Sequence, residues 1–223
     1  MRSRVFPVLA ALAAVFSSPL SALERPVNAP VAERRADEPA GLKYAILAGG
    51  CFWGVEGVFS HVKGVTSVVT GYHGCTRRQA TYDLVSSGLT DHAEAVRITY
   101  DPAVIRYDEL LRILFSVVTD PTQLNRQGPD TGTHYRSAIV PLSEEQRLVA
   151  AAYLAQMRAS GLWRRPVVVR IERHRQFFPA EAYHQDFMAK NPRHPYIQVW
   201  DVAKVNALRR MFPTRYKRDF TAN

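Results

Sequence analysis

Apolar positions along the chain switch between a period of two and a period of 3.6, and the switches mark out elements. A short apolar run over residues 44–48 predicts a buried strand, after which Phe52, Val55, Phe59 and Val62 recur at helical spacing. Lys63-Gly64 reads as a turn into a strand over 65–72, and residues 94–100 form another, ended by Asp101-Pro102. Within that strand Glu94, Val96, Ile98 and Tyr100 share one face, while Ala95, Arg97 and Thr99 share the other. Leu110, Leu111, Leu114 and Val117 predict a helix over 108–118, and residues 135–140 a strand. Ser143-Glu144-Glu145-Gln146 has the form of a capping box and opens a helix to about Ser160, with Gly161 stopping it. A β-branched strand over 167–171, a helix over 180–190 and a last helix over 201–212 complete the pattern. The expected fold class is α+β, with helices packed on one mixed β-sheet.

The first residues follow another logic. Arg2 and Arg4 precede an apolar stretch from Val5 to Phe16, then Ser17, Ser18, Ser21 and Ala22. This predicts a signal peptide over 1–22, export to a periplasm, and no stable membrane insertion once the leader is cleaved. Residues 23–40 carry Pro26, Pro30 and Pro39 without a hydrophobic period, which predicts a mobile linker. Residues 41–223 then form a single domain, with no internal repeat. The formal net charge of +9 is spread over scattered pairs such as Arg77-Arg78 and Arg209-Arg210. No nucleic-acid module underlies them, so a solvated basic surface is expected and no nucleic-acid partner.

The chain has two cysteines, Cys51 and Cys75. Cys51 follows Gly49-Gly50 at the predicted strand-to-helix elbow, where free amides and the helix dipole favour a thiolate and lower its pKa from about 8.5. The alternative in an exported chain is an inert disulfide. Glu94 projects from an apolar strand face; buried without a cation, it would stay protonated and suit a general acid. A strand-end glutamate that reaches water or meets an arginine fits the pattern equally well. Residues 120–134 have no period, and a loop of this length inside a compact domain reads as an active-site loop. The seven histidines include no His-x-x-x-His pair, so no metal is expected.

Five segments taken in order carry a resemblance: Gly50-Cys51-Phe52-Trp53-Gly54, Gly71-Tyr72-His73-Gly74, Asp91-His92-Ala93-Glu94-Ala95-Val96, Gly132-Thr133-His134-Tyr135-Arg136-Ser137 and Tyr183-His184-Gln185. From about Tyr44 to Tyr196 the chain resembles the methionine sulfoxide reductase A family. The resemblance implies a two-layer α/β sandwich with a ferredoxin-like core and reduction of methionine S-sulfoxide, free or peptide-bound, without metal or cofactor. It implies Cys51 as nucleophile, Glu94 as proton donor, and Phe52 and Trp53 around the substrate methyl group. Tyr82 and Tyr135 would bond the sulfoxide oxygen, Asp130 would belong to the same site, and His184 would support it from behind.

The chemistry needs a thiolate on one side of the sulfoxide and a proton source on the other, and it leaves a sulfenic acid that a second thiol can condense with. Relatives often carry recycling cysteines in a C-terminal tail; here that tail has none, and Cys75 stands where the family usually has glycine. Cys75 is therefore expected to resolve the sulfenic acid, or an external thiol does, with a thioredoxin-like donor as reductant and a monomer as the working form. His134 replaces the usual glutamine. The competing classes are another thiol enzyme, which would need a Cys-x-x-Cys or a Cys and His pair, and a silent binding module held by a disulfide.

Overall fold

The computed structural model describes residues 25–223; the predicted signal peptide and its cleavage site lie outside them. Six strands form one sheet in the order β7-β6-β1-β3-β2-β8. They are β1 (Lys43–Gly49), β2 (Val65–His73), β3 (Ala93–Tyr100), β6 (Ser137–Val140), β7 (Arg170–Ile171) and β8 (Phe177–Pro179). Every pairing is antiparallel except β6 with β7, so the sheet is mixed. A separate two-stranded hairpin joins β4 (Arg126–Gln127) to β5 (Asp130–Thr131).

The expected alternation on β3 holds. Val96, Ile98 and Tyr100 face the large core with α1 (Phe52–Ser60), α3 (Tyr107–Ile113), α4 (Glu144–Ala159) and α6 (Val202–Met211). The opposite face carries only a small cluster of Ile46, Ala48, Ala93, Ala95, Ala138, Val140 and Phe177. One helical layer on one sheet is the α+β sandwich expected. Glu94 lies on the large-core face, so period two alone sends a carboxylate inward.

Four local predictions are corrected. The segment over 23–40, expected to be a mobile linker, is from Arg25 onward an extended strap laid across α3 and α4. Ala29, Ala32 and Ala36 are buried, the Ala29 N–H donates to Ser116 Oγ at 3.1 Å, and the Ala36 N–H donates to Asp108 Oδ1 at 2.9 Å. Three small side chains fit beneath a backbone whose hydrogen bonds are met by the helices, so no periodic signal is needed.

The helix expected over 180–190 is broken. A turn at Ala182–His184 and α5 (Phe187–Lys190) flank Asp186, which is left-handed at φ +56°. The N–H groups of Asp186 and Phe187 donate instead to the Glu56 carboxylate, at 2.9 and 3.2 Å. The strand expected over 167–171 pairs only at Arg170–Ile171, because the Val168 N–H is taken by the Pro121 carbonyl. At α4, Ser143 Oγ caps the Gln146 N–H as expected, but the Gln146 side chain accepts from Leu142 N–H and donates to the Tyr44 carbonyl rather than closing the box.

A variant separates a strap from a linker. Ala29→Glu would place a charge in the core and lower the free energy of unfolding by about 2 kcal/mol or more, measured by urea titration; a mobile linker would tolerate it without loss.

Candidate active site

Cys51 is the residue before the first turn of α1, and the elbow it stands on is set by Gly50. Gly50 has φ +91°, and a Cβ there would sit 2.5 Å from the Cβ of Gln127, so both backbone and space demand glycine. Gln127 is buried and locked by its side-chain amide to the Asp120 carbonyl at 2.8 Å and to Ser137 Oγ at 3.0 Å. The loop over 120–134 is thereby ordered against the elbow, with the β4–β5 hairpin at its centre.

The decisive contact is from the Phe52 N–H to Glu94 Oε2 at 2.9 Å. One of the free amides of α1 is spent on the carboxyl that β3 sends inward, which fixes that carboxyl beside Cys51. Glu94 is 2 % exposed. Burial pushes its pKa up to about 8, the Phe52 N–H resisting and the Asp130 charge adding to the rise. The open choice for Glu94 is thus closed in favour of a buried acid with no arginine beside it.

Cys51 departs from expectation in its electrostatics. The Trp53 N–H lowers its pKa, as the helix start was expected to do, yet burial and the charges of Glu94, Asp201 and Asp130 raise it well above the ordinary thiol value. Desolvation and three acids outweigh one amide. The resting site holds a thiol next to a carboxylic acid. Both Cys51 and Cys75 are free, so the inert disulfide is absent.

Aromatic side chains surround the pair. Trp53 stacks on Phe187 at 3.7 Å between centroids and donates its indole N–H to His184 Nδ1 at 3.0 Å. His184 also packs against Phe52 at 5.0 Å and Tyr82 at 4.5 Å. Burial lowers its pKa, keeping it a neutral acceptor. It packs behind the aromatics.

Tyr82 opens α2 (Tyr82–Ser86), its N–H held by Glu181 Oε1 at 2.9 Å. Tyr135 sits in a turn before β6 rather than on the strand expected. Burial keeps both phenols protonated, and ionisation of Glu94 or Cys51 would raise them further. Asp130, at the hairpin, accepts from the Tyr196 hydroxyl. His134 is buried with its ring 4.1 Å from that of Tyr135.

Cys75 lies on the loop just beyond β2, half-buried, its thiol donating to Gln79 Oε1 at 2.7 Å. Its N–H points at His92 Nδ1 at 3.4 Å, and His92 Nε2 meets the Thr76 carbonyl at 3.1 Å. Among the described residues no cluster of His, Cys, Asp or Glu could hold a metal.

Sequence reasoning missed Tyr196 and Asp201. Burial raises the Tyr196 phenol, which lies near enough to Cys51 for a thiolate there to raise it further, and Asp201, fully buried, lies so close to Gly54 that a Cβ there would meet Oδ1 at 2.2 Å. Neither residue type is informative alone; both stand on the π-helical turn Ile197–Asp201 or its border, which has no sequence period.

A family model described as peptide methionine sulfoxide reductase matches residues 43–216. The chain belongs to the peptide methionine sulfoxide reductase family. Peptide methionine sulfoxide reductase MsrA 2 of Mesorhizobium japonicum is 50 % identical over 182 residues, 81 % of this chain and 93 % of that protein. A namesake from Synechocystis is 48 % identical over 177 residues, covering 79 % and 83 %. Among solved structures, reduced Mxr1 from Saccharomyces cerevisiae aligns with a TM-score of 0.62 at 31 % identity, covering 73 % of this chain and 92 % of that one. Methionine sulfoxide reductase A of Corynebacterium diphtheriae gives 0.58 at 32 %, covering 77 % and 84 %. The chain is thus a methionine sulfoxide reductase, and neither the other thiol enzymes nor a silent module accounts for it.

The Glu94 shift has a consequence for stability. A carboxyl whose folded pKa exceeds its unfolded value of about 4.3 contributes stability at low pH and loses it as pH rises through about 8. The difference in urea midpoint between parent and Glu94→Gln should move against the parent as pH rises from about 5 to about 9; a flat difference would mean that Glu94 titrates normally.

Proposed function

We propose that Cys51 reduces methionine sulfoxide with Glu94 as proton donor, and the observation that carries this reading is the Phe52 N–H bond that holds a protonated carboxyl beside the thiol. The sulfoxide sulfur is electrophilic only when its oxygen is neutralised. Glu94 gives that oxygen a proton, assisted by the phenols of Tyr82 and Tyr135. The Cys51 sulfur attacks the sulfoxide sulfur and returns its own proton to Glu94. The hydroxyl oxygen then passes to Cys51 as the transient bond between the two sulfurs and the original S–O bond both break, and the methionine sulfur keeps the electron pair. Methionine leaves, and Cys51 is oxidised to a sulfenic acid. Carboxyl and thiol need no independent tuning to neutral pH, because the carboxyl that gives one proton to the oxygen regains another from the thiol in the same step. Phe52 and Trp53 offer apolar and sulfur contacts to the substrate's methyl group, worth about 0.3 to 1.5 kcal/mol each.

Cys75 then attacks the sulfenic sulfur, releasing water and forming a Cys51 to Cys75 disulfide, which a dithiol donor of the thioredoxin kind reduces by exchange. The Cys75 loop must first leave Gln79 and His92. Exported proteins oxidised at methionine suit a chain with the predicted leader, and preference for the S epimer follows from the family.

A single-turnover assay on fully reduced protein tests the scheme, with methionine formed and thiols lost counted together. The parent should form one methionine per chain and lose both thiols. Cys75→Ser should form the same methionine but cycle slowly with a dithiol donor, and Glu94→Gln should slow methionine formation by about 10²- to 10⁴-fold. Formation of methionine at the parent rate by Cys51→Ser would refute the assignment.

A further inference from the structure

Beside the reactive pair, on the far side of Tyr196 and Gln127, lies a cavity of about 300 Å³. Its walls divide by chemistry. Val117, Pro129 and Trp200 supply apolar surface, while Arg25, Lys204 and Arg210 supply three cations and no wall residue is an acid. Tyr196 ties this cavity to the site, since its ring lines the one and its hydroxyl bonds Asp130 in the other. Gln127 does the same from the loop, lining the cavity while packing over Gly50. The three cations come from two parts of the fold: Arg25 from the strap, and Lys204 and Arg210 from α6.

Lys204 faces inward, 3.8 Å from Asp201 Oδ1; burial raises the pKa of nearby Asp130, and the Tyr196 hydroxyl and the Lys204 charge oppose that rise. Arg25 and Arg210 are exposed at the outer side.

Resting on the reading of Cys51 and Glu94 given above, we propose that this cavity is a subsite for an acidic residue next to the oxidised methionine in a peptide substrate. An extended chain advances about 3.5 Å per residue, so a neighbour of the methionine whose sulfoxide meets Cys51 needs only a short reach to pass Tyr196. The carboxylate would bridge the guanidinium groups of Arg25 and Arg210, and its methylene stem would lie on Pro129 and Trp200. Repulsion of lysine or arginine by Arg25 and Arg210 provides the other half of the discrimination. The strap thus becomes part of substrate selection, which explains why it is pinned at Ser116 and Asp108 rather than left loose.

The test uses three blocked peptides that carry methionine sulfoxide beside Glu, Gln or Lys and are otherwise identical. At low salt the parent's kcat/KM should fall from Glu to Gln to Lys, with Glu ahead of Lys by about fivefold, and the gap should close as salt is added. The double variant R25E/R210E should invert that order. If it also loses the Gln peptide, the neutral pair R25Q/R210Q takes its place and should shrink the Glu to Lys ratio towards one. Equal values for the three peptides in the parent, or a ratio that the arginine variants leave unchanged, would overturn the subsite. Failure of the parent on every peptide regardless of charge would instead overturn the reading of Cys51 and Glu94, and the subsite with it.

Discussion

A single hydrogen bond joins the two halves of the chemistry. The first amide of α1 beyond Cys51 donates to a carboxyl that the central strand β3 sends into the core. Helix starts normally present their free amides to water or to a capping side chain. Here the amide meets an acid from another element, 42 residues along the chain, so the elbow, the helix and the sheet must all be in place before the site exists. The glycines follow from the same constraint. Gly50 turns the chain where a Cβ would strike Gln127, and Gly54 leaves room for Asp201.

Buried polar side chains do the corresponding work for the loops. Glu56 takes two backbone amides at Asp186 and Phe187, which breaks a helix and sets the Phe187 ring flat on Trp53. Gln185 bonds both the N–H and the carbonyl of Thr70, standing in for a strand neighbour. Glu181 takes the Tyr72 hydroxyl and the Tyr82 N–H. A buried polar atom is costly unless partnered, so each such group specifies a single loop path more sharply than apolar packing does. The irregular backbone around the site is overdetermined in this sense.

The net electrostatic shift has one direction at both reactive groups. Burial raises Cys51 and Glu94, and each acidic neighbour raises them further. The Cys51 and Glu94 pair consequently rests protonated, which fits a reaction whose first need is a proton on a leaving oxygen. An activated thiolate waiting in the empty site would be exposed to stray oxidants, whereas a thiol that ionises as the sulfoxide arrives is reactive only towards what the aromatics admit.

The residues themselves determined the sheet-and-helix alternation, the inward face of β3 that carries Glu94, the elbow at Cys51 and, through five ordered motifs, the family. These are features in which side-chain period or local turn chemistry decides the outcome, and both are written in neighbouring residues. The strap over 25–38, the broken helix at Asp186, the parts played by Tyr196 and Asp201, and the direction of the Cys51 shift were decided only by tertiary structure. In each of these a backbone or side-chain group answers to a partner far along the chain: Ala29 to Ser116, Asp186 to Glu56, Tyr196 to Asp130. Local propensity at Cys51 favoured a thiolate, but desolvation and charge depend on everything packed around the sulfur, and that sum does not exist until the chain has folded.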